Sequence, residues 1–116
     1  RRRRAAARGA AVIVLLTGAT GVVGSAVAER LLADRAVQLR LVVRGADAPE
    51  LDERLGRLLA YWHASGAAWA ADHETLRRRV ELFRGDTSHP ALGLAAADFD
   101  RLAGECTHVI HCASAV

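Results

Sequence analysis

Val12-Ile13-Val14-Leu15-Leu16-Thr17-Gly18-Ala19-Thr20-Gly21-Val22-Val23-Gly24 is a run of apolar, largely β-branched residues that breaks into glycines spaced G-x-x-G-x-x-G. The apolar run reads as a strand buried on both faces. The glycines let the backbone turn sharply and approach a phosphate that a β-carbon would push away. The central one, Gly21, is expected to provide that approach and to adopt positive φ. Ser25-Ala26-Val27-Ala28-Glu29-Arg30-Leu31-Leu32 continues at helical spacing. A helix therefore opens at the last glycine, with its unpaired N–H groups and positive dipole end facing an anion.

Outward from this turn, strands and helices alternate. A first strand over 12–17 and a helix over 22–34 are followed by a second strand over 38–44, at the distance a βαβ unit requires. Residues 45–49 form a turn in which Asp47 is placed to cap the next helix, expected over 50–64 from the spacing of Leu51, Leu55, Leu58, Leu59 and Trp62. Residues 67–74 read either as a short helix or as an insertion over the sheet. A third strand over 79–84 ends at Gly85-Asp86, a Pro-containing loop leads to a short helix over 94–102, and Thr107 to Cys112 makes a fourth strand. Alternation of this kind means an α/β fold with parallel strands, right-handed crossovers and a Rossmann-type order 3-2-1-4, flanked by helices.

At 116 residues the chain holds at most one domain. It contains no Met and stops immediately after the fourth strand, so it reads as a piece of a longer protein. Residues 1–10 form an Arg- and Ala-rich tail or linker, expected to be disordered, and 11–116 form the amino-terminal part of a nucleotide-binding domain. The formal charge of +3 misleads until it is localised. Arg1 to Arg4 and Arg8 lie in the tail, and without them 11 Arg face 13 Asp and Glu. A slightly acidic body argues against a nucleic-acid partner. The basic start followed by Ala10 to Leu16 resembles a secretory leader, but cleavage beyond it would destroy the first strand, and the apolar run is too short to span a membrane. Two cysteines make no disulfide framework, and a cytoplasmic setting is expected.

Several residues fall where ligands of open α/β sheets bind. An Asp or Glu normally holds the ribose 2′-hydroxyl of NAD at the tip of the second strand. Arg44 stands there instead, and a guanidinium would pair with a 2′-phosphate, favouring NADP(H) over NAD(H); Asp47, three residues later, keeps NAD(H) open. Asp86 either accepts a hydrogen bond from the adenine amino group or caps the turn before Pro90. Cys106, His108, His111 and Cys112 invite a metal reading. Strand alternation sends His108 and Cys112 to one face and His111 to the other, and residues four apart are roughly 13 Å from each other. No metal site is expected, and His111 reads as a residue at the mouth of the fourth strand, beside the cofactor. Ser114 has no Lys to assist it, and no catalytic nucleophile is proposed.

Thr17 to Gly24, Leu41-Val42-Val43-Arg44, Gly85-Asp86 and His111-Cys112-Ala113-Ser114 together resemble the amino-terminal half of an extended short-chain dehydrogenase/reductase. Leu92-Gly93-Leu94, Asp98-Phe99-Asp100 and Glu53-Arg54-Leu55 are similar to the thioester reductase and fatty acyl-CoA reductase branch. The resemblance implies that Gly18, Gly21 and Gly24 line the pyrophosphate, flanked by Thr20, Val22 and Val23. It implies further that Arg44 meets the 2′-phosphate, Asp86 and Thr87 border the adenine, and His111 and Ala113 touch the riboses. The superfamily's Tyr-x-x-x-Lys is missing: the one tyrosine, Tyr61, precedes the third strand, on the wrong side of the sheet for that role, and there is no Lys. The expected function is therefore the NADP(H)-binding part of a reductase acting on a small-molecule or carrier-bound thioester or acyl-CoA, inactive without the remaining half of the domain. Competing readings are an NAD-dependent sugar-nucleotide epimerase or dehydratase and a non-catalytic NADP-sensing regulator.

Overall fold

A computed structural model describes residues 12–44, 47–66, 69 and 72–113. Its elements are β1 (Val12–Thr17), α1 (Val22–Leu32), β2 (Val37–Val43), α2 (Ala48–Ala64), α3 (His73–Arg79), β3 (Val80–Arg84), a 3₁₀ turn (Pro90–Gly93), α4 (Ala96–Glu105) and β4 (His108–His111). The strands form one parallel sheet in the order β3-β2-β1-β4. The 1–10 tail, Gly45 and Ser114 lie outside the described residues, as do 67, 68, 70 and 71 of the ambiguous 67–74 stretch, whose end is helical because Asp72 caps α3.

Alternation along the strands divides the core into two layers. Val14, Leu16, Leu39, Leu41 and Val43 face Ala28 and Leu32 of α1 and Leu55, Leu59 and Trp62 of α2. Leu15, Val42 and Phe83 face the other way, onto Leu102 of α4 and the partly buried Leu92 and Leu94. Arg40 also belongs to this second face, buried in mid-strand. Its Nε donates to Glu105 at 2.9 Å, and Arg101 of α4 grips Glu81 of β3 through two bonds of 2.6 and 2.8 Å. The charges stay in place because each is paired, which ties α4 across β2 and β3.

Where element ends differ from the sequence expectations, a side chain accounts for the shift. Helix α1 stops at Leu32 rather than 34 because the Arg79 guanidinium takes the carbonyls of Leu32, Asp34 and Val37 and holds the turn that follows. For the same reason Arg79 closes α3 instead of opening β3. The α2 helix starts at Ala48, two residues early, because Asp47 caps it by accepting from the Glu50 amide at 3.0 Å. Leu94 is extended and packed in the second layer, so α4 begins at Ala96 and runs on to Glu105, the residue that meets Arg40. Strand β2 ends at Val43, leaving Arg44 just beyond the strand tip. Strand β4 is likewise one residue shorter at each end than expected; the Thr107 hydroxyl exchanges hydrogen bonds with the Ile13 backbone.

Candidate dinucleotide-binding site

The turn between β1 and α1 rests on glycines with three separate jobs. Gly18 has φ +76, and a β-carbon there would lie 2.6 Å from the Ala113 nitrogen. Gly24 lets the first turn of α1 sit directly on the Gly18 carbonyl, where a side chain would overlap backbone. Gly21 departs from expectation: its φ is −82, in extended backbone, so it needs no left-handed conformation. A β-carbon on it would meet only the Gly18 oxygen at 3.4 Å, and its open side is therefore free for a ligand. No side chain caps α1 and no acid lies in its first turn, so the helix end presents its amides and dipole without a competing carboxylate.

At the carboxyl ends of β1, β2 and β3 a hollow of about 230 Å³ brings together Gly18, Thr20, Arg44, Asp86, Thr87 and Ala113. These residues lie up to 95 positions apart in the chain, and the parallel sheet is what gathers them. A neighbouring hollow of about 280 Å³ contains Thr20, Gly21 and Val22. Val22 is 90% exposed. Val23, Gly24 and His111 line neither hollow: Val23 is exposed, Gly24 is buried under the turn, and His111 stands on the β4 end two residues before Ala113.

Arg44 is exposed, 3.7 Å from Asp86. The Asp86 carboxylate does cap the turn: its Oδ1 accepts from the Ser88 hydroxyl at 2.6 Å and the Ser88 amide at 2.9 Å. Those bonds, with Arg44 and His89 nearby, hold its pKa at about 2. Asp47 is committed to the α2 cap. Arg54, which sequence reasoning passed over as a site residue, lines the first hollow beside Arg44. Its only signal was the helical spacing that buries Leu55, Leu59 and Trp62 and leaves Arg54, Leu58 and Tyr61 on one flank. Tyr61 lies on the α1/α2 layer, the face opposite His111, and lines the second hollow with Thr20 and Gly21. No group of metal-ligating side chains occurs among the described residues, and no helix there is long and apolar enough to cross a membrane.

A glycine turn on a helix end, at the edge of a parallel sheet, with an arginine and a carboxylate at the neighbouring strand tips and a second arginine on α2 beside them, is the arrangement of a dinucleotide site. The NAD-binding family described as male sterility protein matches residues 16–116. The chain belongs to this family. It is a member of the thioester reductase branch of the extended short-chain reductases, with a Rossmann-type sheet that serves a nicotinamide dinucleotide. It is 38% identical over 89% of its length to the nonribosomal peptide synthetase inpA of Emericella nidulans, and 35% identical over 84% to a carboxylic acid reductase of Segniliparus rugosus. Among solved structures, the terminal R domain of the myxalamid PKS-NRPS pathway superposes with a TM-score of 0.70 at 29% identity over 92% of the chain. The reductase (R) domain of a nonribosomal peptide synthetase from Mycobacterium tuberculosis gives 0.66 at 30% over 93%. The chain spans 7% and 8% of those two curated relatives and 26% and 25% of those two solved chains.

Proposed function

We propose that this chain holds the adenosine and diphosphate end of NADPH in a reductase that acts on a carrier-bound acyl thioester. The single observation that carries the cofactor assignment is the hollow in which Arg44 and Arg54 flank the strand tips next to the glycine turn. The two guanidiniums suit a 2′-phosphate, whereas the acid that NAD would call for, Asp47, is bound to the α2 cap. Gly21 and the α1 end receive the diphosphate, Asp86 and Thr87 border the adenine, and His111 and Ala113 meet the riboses. When bound, the cofactor supplies a hydride for the thioester carbonyl. The names of the relatives, peptide synthetase reductase domains and carboxylic acid reductase, support a carrier-bound acyl substrate over a sugar nucleotide.

Titration with NADPH and NADH tests the reading. NADPH is expected to bind more tightly, and Arg44→Ala or Arg54→Ala to remove on the order of 1.5–3 kcal/mol of that preference. Equal affinities for the two cofactors in the unaltered chain would sink it.

A further inference from the structure

The last residue of β1 and the last of β4 are joined by a side-chain arrangement outside the cofactor assignment. Thr17 is 1% exposed, and its hydroxyl oxygen lies 2.7 Å from Nδ1 of His111. The same oxygen accepts from the Cys112 amide at 3.2 Å and the Ala113 amide at 3.3 Å; the Cys112 amide is shared with the Thr17 carbonyl, also at 3.2 Å. A hydroxyl has two acceptor positions and one proton. The Ala113 amide and the shared Cys112 amide take the acceptor side of the hydroxyl, which leaves Nδ1 as the partner among the described residues for its proton. In the neutral ring Nδ1 is then the acceptor, and the ring hydrogen resides on Nε2.

The ring is placed to use that hydrogen. His111 is exposed, so Nε2 is not consumed in the core. It stands one residue across the sheet from Gly18, which opens the glycine turn, and two residues before Ala113, which lines the hollow between the strand tips. Thr17 and His111 share the α4 side of the sheet with Leu15 and Val109, while Gly21 and α1 lie on the other side. A dinucleotide crossing the sheet edge from the α1 end thus meets a donor on the far side.

We propose that Thr17 is a positioning residue that presents Nε2–H of His111 as a hydrogen-bond donor to a hydroxyl or phosphate oxygen of the bound dinucleotide. The second half of this statement rests on the cofactor reading above; the first half does not. Nitrogen NMR of the cofactor-free chain, at a pH where the ring is neutral, should show His111 with hydrogen on Nε2. Thr17→Val, which keeps the volume and removes the hydroxyl, should mix the two tautomers and weaken NADPH binding about twofold, as a competent fraction of about one half requires. Thr17→Ser should restore both. A pair of substitutions at the exposed ring leaves the buried threonine untouched. His111→Gln carries an amide N–H near the Nε2 position and should weaken NADPH binding less than His111→Asn does. His111→Asn places its amide near Nδ1 and should show the loss. Hydrogen found on Nδ1, a tautomer unchanged in Thr17→Val, or equal binding by the Gln and Asn variants would overturn the proposal. The expected tautomer in a chain that binds no nicotinamide dinucleotide would support the Thr17 device and overturn the cofactor reading alone.

Discussion

At the scale of single residues, the three glycines of the first turn are not interchangeable. Gly21→Val fills the open side of the turn, where only the Gly18 oxygen is near, so dinucleotide binding should be lost. Its stability cost should stay at about 1 kcal/mol, the usual penalty for a β-branched residue at a helix cap. Gly24→Ala forces a methyl onto the Gly18 carbonyl and should cost about 2–3 kcal/mol, with binding lost as a consequence of a displaced turn. Denaturant titration beside cofactor titration separates the two; normal binding by Gly21→Val would mean the glycines form a turn and nothing more. Asp86 offers a pH test. Its folded pKa, about 2, lies below the ordinary 3.8, chiefly because Ser88 donates to it. The stability it contributes is therefore fully present above about pH 4 and lost as pH falls through about 2. Ser88→Ala should move the Asp86 carboxyl titration back towards 3.8, which carbon NMR of the side chain reads directly.

At the scale of elements, the segment from Gly85 to Leu94 forms the floor under Asp86. Ala91, Leu92 and Gly93 are three successive residues with positive φ, of 53°, 59° and 60°. This left-handed turn is uncommon for residues with side chains. It is held because the Leu92 carbonyl accepts from the Asp86 amide at 2.7 Å while Leu92 and Leu94 pack against Phe83 and Leu102. Gly85 permits the close approach: a β-carbon there would lie 2.5 Å from the Leu92 oxygen and 2.7 Å from Val42. Gly85→Ala should consequently cost about 2 kcal/mol and weaken dinucleotide binding by pushing the turn, and Asp86 with it, away from the strand tips. A variant with unaltered melting temperature and affinity would show that the turn can shift without disturbing the site.

At the scale of the whole molecule, the α4 face is unevenly covered. Among the described residues β4 pairs only with β1, Val109 is 65% exposed, and Leu15, Phe99, Leu102, Ala103 and Cys106 line an apolar hollow of about 300 Å³ beside it. Burial there pushes the Cys106 thiol pKa upward, so the sulfur behaves as part of that apolar surface. A strand edge flanked by apolar side chains favours association between copies. Val109→Lys should reduce any concentration-dependent association of the chain in sedimentation velocity while leaving NADPH affinity unchanged. Association that persists undiminished would place the contact elsewhere.

The strand, turn and helix of residues 12–32 were legible in the sequence because their information is local: a period-free apolar run, glycines at fixed offsets and a 3.6-residue repeat. The parallel order β3-β2-β1-β4 followed from the alternation of elements, since right-handed crossovers leave few other topologies. The nearness of Arg44, Asp86 and Ala113 to the glycines was also readable, because each follows within two residues the end of a strand of one parallel sheet. Tertiary structure alone decided the rest. Arg54 reaches the site through the docking angle of α2, Arg79 ends α1 by bonding carbonyls more than 40 residues away, and Gly21 yields the positive φ to Gly18. The direction of the Thr17 hydroxyl belongs to the same class. It depends on three groups brought from 94 to 96 residues away, and a hydrogen bond has no signature in sequence until packing supplies both of its ends.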